Sequence, residues 1–143
     1  MTEYIRERIP QADFYYQEIF SPDIGFDKFD YQMTSRQQQK EFYQRIKGYT
    51  DIVCDDFGYA PIPCGSAYEI AREDADCGQL CANDLYHDGN AGGSYLSACV
   101  WYETLTGKSC IGNTWRPDYE LAEEKIQLLQ QCAHKAVEQM KAE

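Results

Sequence analysis

The chain is poor in basic residues. Lys and Arg number 13 against 24 Asp and Glu, a formal net charge of −11. A partner recognised through its phosphates needs a basic face, so nucleic acid is not expected as a ligand. An anionic membrane surface is disfavoured for the same reason. No run of about 18 apolar residues occurs, so no segment reads as a bilayer span. Met1 to Pro10 has no basic stretch followed by an apolar one, so no secretory leader is read there. Internal repeats and low-complexity segments are absent, the run Gln37-Gln38-Gln39 being too short to count. Histidine is scarce, with two in the chain: His87 and His134. What is present suits one globular unit, residues 1–143. Hydrophobic residues make up 43%, enough for a core in a chain of 143 residues. The seven cysteines are odd in number and follow no repeating framework, which points to reduced thiols and a cytoplasmic location for the chain as it stands, the bacterial periplasm staying open if an upstream leader is missing.

Spacing along the chain predicts alternating helices and strands. Met1–Ile9 has helical spacing and ends before Pro10. The aromatic run Phe14-Tyr15-Tyr16 predicts a strand over Ala12–Gln17. Ser21–Met33, with Pro22, Gly25 and several Asp, reads as a surface loop. Thr34 and Ser35 can cap a helix in which Phe42, Ile46, Tyr49, Val53 and Phe57 form one apolar stripe, stopped by Gly58. Tyr59–Pro63 reads as a strand whose two prolines suit an edge. Gly65–Glu73 is expected to be a short helix, Asp74–Gly93 a polar loop, and Ser94–Thr106 a buried helix ended by Gly107. After a loop over Lys108–Arg116, Pro117 and Asp118 are expected to open the last helix, with Ile126, Leu129, Cys132 and Val137 on its inner face. This order predicts an α/β fold with a parallel sheet. Only two strands are found, fewer than an independent parallel sheet needs.

The sharpest chemistry lies in Asp84-Leu85-Tyr86-His87. An imidazole in a polar loop ahead of a helix can accept a proton near neutral pH. A carboxylate three residues earlier can hold its other nitrogen and fix the tautomer. The plain alternative is a surface histidine beside a turn-forming Asp. His134 falls inside the last helix and reads as structural.

Asp84-Leu-Tyr-His87, then Gly93, Tyr95-Leu-Ser-Ala-Cys-Val-Trp101-Tyr-Glu-Thr-Leu-Thr-Gly107-Lys-Ser109 and Ile111-Gly-Asn-Thr-Trp-Arg-Pro117, resembles the final block of the SGNH (GDSL-type) hydrolases. It is similar to an uncharacterised bacterial branch classed as a domain of unknown function. Tyr4–Pro10 and Ala12–Gln17 resemble the helix and strand of that fold's fourth βα unit, and Ile62–Ser66 the end of its fifth strand. The resemblance implies a three-layer flavodoxin-like sheet, of which this chain is the C-terminal part. It implies ester hydrolysis by a Ser-His-Asp triad, with His87 as general base and Asp84 as its orienter. No cofactor is implied, and the substrate is a small acyl ester. Gln17, at a strand end and so at the usual active-site edge of an open α/β sheet, is a substrate-binding candidate, with a solvated loop amide as the alternative.

The chain departs from that family in one large respect: it contains neither G-D-S nor G-x-N-D. Ser66 and Ser94 follow glycines but read as turn or cap residues. A base and orienter without nucleophile and oxyanion donors cannot run acyl transfer. The expectation is therefore a half-domain from a truncation, a split gene or an alternative start, inactive alone. Two other readings stand beside it. Cys77, Cys81, Asp84 and His87 put four possible metal ligands in eleven residues, with core or loop thiols as the alternative for the cysteines. A non-catalytic interaction module would self-associate, or take a partner chain over its exposed sheet edge. Trp101, Trp115 and the tyrosines could serve that interface, although core packing also explains the Tyr/Trp stripe of Ser94–Thr106.

Overall fold

The structure, a computed structural model, describes residues 2–75 and 77–142; Met1, placed in the first helix by spacing, lies outside them. The elements in order are α1 (Thr2–Arg8), β1 (Tyr15–Gln17), β2 (Asp27–Lys28), β3 (Tyr31–Gln32), α2 (Arg36–Phe57), β4 (Ala60–Ile62), α3 (Cys64–Ala71), α4 (Gly93–Thr106) and α5 (Glu123–Ala142). The fold is mixed α/β, with five helices and two small sheets among the described residues. β1 and β4 pair in parallel, Tyr15 opposite Ala60 and Gln17 opposite Ile62, with α2 in the crossover. Pro61 lacks an N–H and sits where β4 has one neighbour. The main core lies behind this pair, where α3, α4 and α5 bury Tyr68, Leu96, Val100, Leu129 and Val137. Among the described residues no helix is long and apolar enough to cross a membrane. All seven cysteines are free thiols.

Four expectations need correction. Ser21–Met33 is not all loop, because β2 and β3 form an antiparallel hairpin within it. Its two turn residues, Phe29 and Asp30, both have positive φ (56° and 57°). That geometry normally takes Asn-Gly or Asp-Gly, which is the signal the sequence does not carry. The last helix starts at Glu123 rather than Pro117, with Glu123 and Glu124 favourably placed at its positive end.

α2 has the expected ends. The Ser35 hydroxyl accepts from the Gln38 N–H at 3.2 Å, and Gly58 closes the helix at φ 62°. Its buried face is nevertheless Gln39, Tyr43, Thr50 and Cys54, offset from the apolar stripe, of which Tyr49 and Phe57 are exposed. α4 also differs. Tyr95, Leu96, Cys99, Val100 and Glu103 face the core, while Ala98, Trp101, Tyr102 and Leu105 form an exposed apolar face at helical spacing. Core packing therefore accounts for only half of that helix.

Buried Glu18 replaces a missing helix cap. Pro63, at the α3 N-cap, makes no side-chain bond. Instead the Glu18 carboxylate accepts from the Ser66 N–H at 2.5 Å and from the Tyr43 hydroxyl at 3.0 Å. Burial pushes the Glu18 carboxyl above its ordinary value, against the pull of those donors. A raised acid holds its proton more tightly folded than unfolded. Its stabilisation is therefore full below the unfolded value near about 4.3 and is lost as pH rises through the folded value. Glu18→Gln should gain stability relative to wild type as pH climbs from about 4 to about 7. Urea midpoints of the two proteins across that range check this; a pH-independent difference would contradict it.

Candidate functional site

The loop between α3 and α4 is held from outside by Asp23. One carboxylate oxygen of Asp23 accepts from the Leu80 and Cys81 N–H groups at 3.0 and 2.8 Å, and the other from Arg72 at 2.7 Å. The Asp23 N–H donates to the Leu85 carbonyl at 2.9 Å. The loop then folds on itself. Ala82 N–H donates to the His87 carbonyl at 2.8 Å, and Cys81 bridges Asp88 in antiparallel fashion. Leu85 sits in the left-handed region at φ 61°. The hairpin adds an apolar brace, with Tyr86 stacked on Phe26 at 5.3 Å.

This frame brings the two sequence candidates together. Asp84 Oδ2 lies 2.5 Å from His87 Nδ1. Asp84 Oδ1 accepts from the Tyr86 and His87 N–H groups, both at 3.1 Å. Bonding to His87, first through the ring and then through the backbone, holds the Asp84 carboxyl well below the usual carboxylate range. An ionised carboxylate facing Nδ1 calls for a hydrogen there, which leaves Nε2 as the ring nitrogen not bound to Asp84. The His87 side chain is 74% exposed, so Nε2 is open to an incoming group. Among the described residues no serine or cysteine bonds the His87 ring. The Ser66 hydroxyl is instead engaged by Tyr43 at 2.7 Å.

Gln17 stands at the carboxyl end of β1, as expected, and its side-chain oxygen accepts from the Trp101 indole N–H at 3.0 Å. Its partner is therefore α4 rather than the Asp84–His87 loop. The four candidate metal ligands are not assembled. Cys77 and Cys81 are buried in the core, and no group of three or more His, Cys, Asp or Glu side chains among the described residues is placed to hold an ion. A cleft of about 430 Å³ lies beside the loop, lined by Asp23, Arg72, Gly78 and Leu85 but not by His87.

Sequence reasoning missed three supports of the loop: Asp23, Arg72 and Tyr68. The Tyr68 hydroxyl donates to the Asp88 carboxylate, which also accepts from Ser97 at 3.2 Å. Asp23 could have been noticed only as an acidic residue in a Pro-Asp-x-Gly turn, which is a weak signal.

A parallel strand pair with helices packed against it, and a loop-borne Asp–His pair ahead of a core helix, define the chain as a mixed α/β protein. The same fold occurs in the crystal structure of a DUF4886 family protein from Bacteroides uniformis ATCC 8492, with a TM-score of 0.82 and 24% sequence identity. The match covers 94% of this chain and 52% of that one, so the chain spans about half the length of its structural neighbour. At that identity the likeness is one of fold, to a domain of unknown function. No protein-family model matches the sequence, and no curated protein is found similar to it.

Proposed function

We propose that the chain carries the base end of an ester-hydrolysing site, with His87 as general base and Asp84 as its orienting carboxylate. The observation behind this reading is the 2.5 Å contact between Asp84 Oδ2 and His87 Nδ1. It is reinforced by two backbone N–H groups that keep Asp84 ionised. A histidine held in this way has Nε2 free to take a proton from an attacking hydroxyl and return it to the leaving alcohol. The resemblance of residues 84–117 to the final block of the SGNH hydrolases supports the same assignment. By that analogy alone the substrate is a small acyl ester, of the kind in which an acyl group sits on a carbohydrate. Gln17, at the carboxyl edge of the strand pair, is assigned to the pocket wall.

The nucleophile and oxyanion donors of this reading come from polypeptide beyond these 143 residues. Two observations favour such a partner: the neighbouring structure has nearly twice the length matched here, and the outer face of α4 presents Trp101, Tyr102 and Leu105 uncovered. The test has two arms. The DNA upstream of the Met1 codon is expected to encode, in frame, a strand followed by G-D-S and later G-x-N-D. The protein as it stands is expected to hydrolyse p-nitrophenyl acetate no faster than buffer. Unrelated upstream sequence would sink the partner half of the reading. Turnover by this chain that His87→Ala abolishes would move the nucleophile onto one of its own serines or cysteines.

A further inference from the structure

We propose that the outer edge of β1 is a docking surface for one β-strand, added in parallel by the polypeptide that precedes α1. The inference rests on the partner half of the reading above and uses none of its chemistry. The sheet of β1 and β4 has two strands, fewer than a parallel sheet needs to stand alone. Each strand therefore has one open side among the described residues, and the two open sides differ.

Backbone groups point to alternate sides along a strand, so the register decides which of them face out. The Ala60 N–H donates to the Phe14 carbonyl and the Glu18 N–H to the Ile62 carbonyl, both at 2.9 Å. Phe14, Tyr16 and Glu18 thus turn their backbone groups toward β4, and Ala60 and Ile62 turn theirs toward β1. The open side of β4 is left with Tyr59, Pro61 and Pro63. Two of these have no N–H, and the Tyr59 N–H is spent on the Cys54 carbonyl at 3.0 Å. That edge is closed to a further strand. The open side of β1 is left with the N–H and C=O groups of Tyr15 and Gln17. β1 has no proline, lysine or bulge to guard them, and Tyr15 is 39% exposed. The sheet can therefore grow on the β1 side alone.

The helices select the same side. α2 carries the chain from β1 across to β4, and α1 leads into β1. The Arg6 guanidinium, on α1, donates to the carbonyl of Phe57, the last residue of α2, at 2.6 Å and lies 5.1 Å from the centre of the Phe14 ring. α1 and α2 therefore share one face of the sheet. Successive right-handed crossovers keep their helices on one face when they step across the sheet in one direction. A strand that runs into α1 thus lies beyond β1, on the side away from β4. None of the described residues of α1 is buried, which fits a crossover helix whose own strand is not yet beneath it. The outer face of α4 borders the same edge, because Trp101 Nε1 donates to Gln17 Oε1 at 3.0 Å at the carboxyl end of β1. About half of the structural neighbour lies outside the match, far more polypeptide than one strand requires.

The test is amide hydrogen exchange followed by NMR, on the chain of 143 residues and on the longer protein read in frame from the upstream codons. In the shorter chain the Tyr16 and Glu18 amides should be protected, while those of Tyr15 and Gln17 exchange like an open peptide. In the longer protein Tyr15 and Gln17 should slow by at least about a hundredfold. Tyr15→Pro removes one outward N–H, and should lower the urea midpoint of the longer protein more than that of the shorter chain. If that variant fails to fold, the exchange pattern of the two unaltered proteins decides. Protection of Tyr15 and Gln17 in the shorter chain would overturn the proposal: with a dimer in sedimentation the edge belongs to a second copy, and with a monomer it is covered by the chain itself. Fast exchange at both residues in the longer protein, or the absence of an upstream reading frame, would overturn it as well. Upstream polypeptide that protects the edge but lacks G-D-S would uphold the docking surface and remove the ester-hydrolase reading, so the two fail separately.

Discussion

Arg72→Ala is expected to lower folding stability by about 3–5 kcal/mol, the range for removing one partner of a buried pair. Arg72 caps the end of α3, with its side chain 5% exposed and that of its ion-pair partner Asp23 10% exposed. Its guanidinium donates to Asp23 Oδ1 at 2.7 Å, to the Ser21 carbonyl at 2.8 Å and to Glu69 at 3.1 Å, and lies 5.3 Å from the centre of the Tyr68 ring. Without it the Asp23 carboxylate keeps two backbone donors but loses its counter-charge in a poorly solvated place. Arg72→Lys should recover only part of the loss, because an ammonium cannot span Asp23, Ser21 and Glu69 as a planar fork does. The pair Arg72→Ala and Asp23→Asn should be strongly non-additive in urea unfolding. A loss under about 1 kcal/mol for Arg72→Ala would class the pair with weak surface bridges and undo the account of the loop.

The parts of this structure legible in the sequence depend on neighbours in the chain. Ser35 and Gly58 mark the ends of α2 because capping is local. Asp84 and His87 meet because three residues of turn suffice to bring a carboxylate to a ring nitrogen. Gln17 lies at a strand end because the aromatic run before it favours extended backbone. What was not legible depends on remote partners. The buried face of α2 is polar because the Gln39 amide donates to the Pro22 carbonyl at 2.7 Å and the Tyr43 hydroxyl to Glu18 at 3.0 Å. A satisfied polar group can occupy a core position that an apolar stripe would otherwise claim. The hairpin was hidden because Phe29 and Asp30 adopt a turn geometry that composition does not advertise. Asp23 binds Leu80 and Cys81 across 57 and 58 residues, a distance over which no spacing rule operates. The exposed face of α4 shows the reverse limit, since periodicity marks a face as apolar without saying whether this chain covers it.

Gly93→Ala is expected to cost at least about 3 kcal/mol, at or beyond the upper end for an overpacked site. Gly93 opens α4 directly after Gly92, whose φ of 128° few side chains tolerate. A methyl on Gly93 would collide with the Tyr68 hydroxyl and the Leu80 carbonyl. Neither can yield cheaply. Tyr68 is fully buried and stacked on Phe20 at 4.0 Å, and the Leu80 carbonyl accepts the Gly93 N–H itself at 3.1 Å. Moving Tyr68 would also release Asp88, the residue next to His87, so the damage should spread from the core to the candidate site. Gly48, inside α2, gives the matched control. Nothing lies within 4 Å of a methyl there, and Gly48→Ala should stabilise by about 0.5–1 kcal/mol through helix propensity. Urea unfolding of the two variants should therefore shift in opposite directions. A Gly93→Ala protein as stable as wild type would mean that Tyr68 is free to move, and that the Asp84–His87 loop does not take its rigidity from the close approach of α4 to Tyr68.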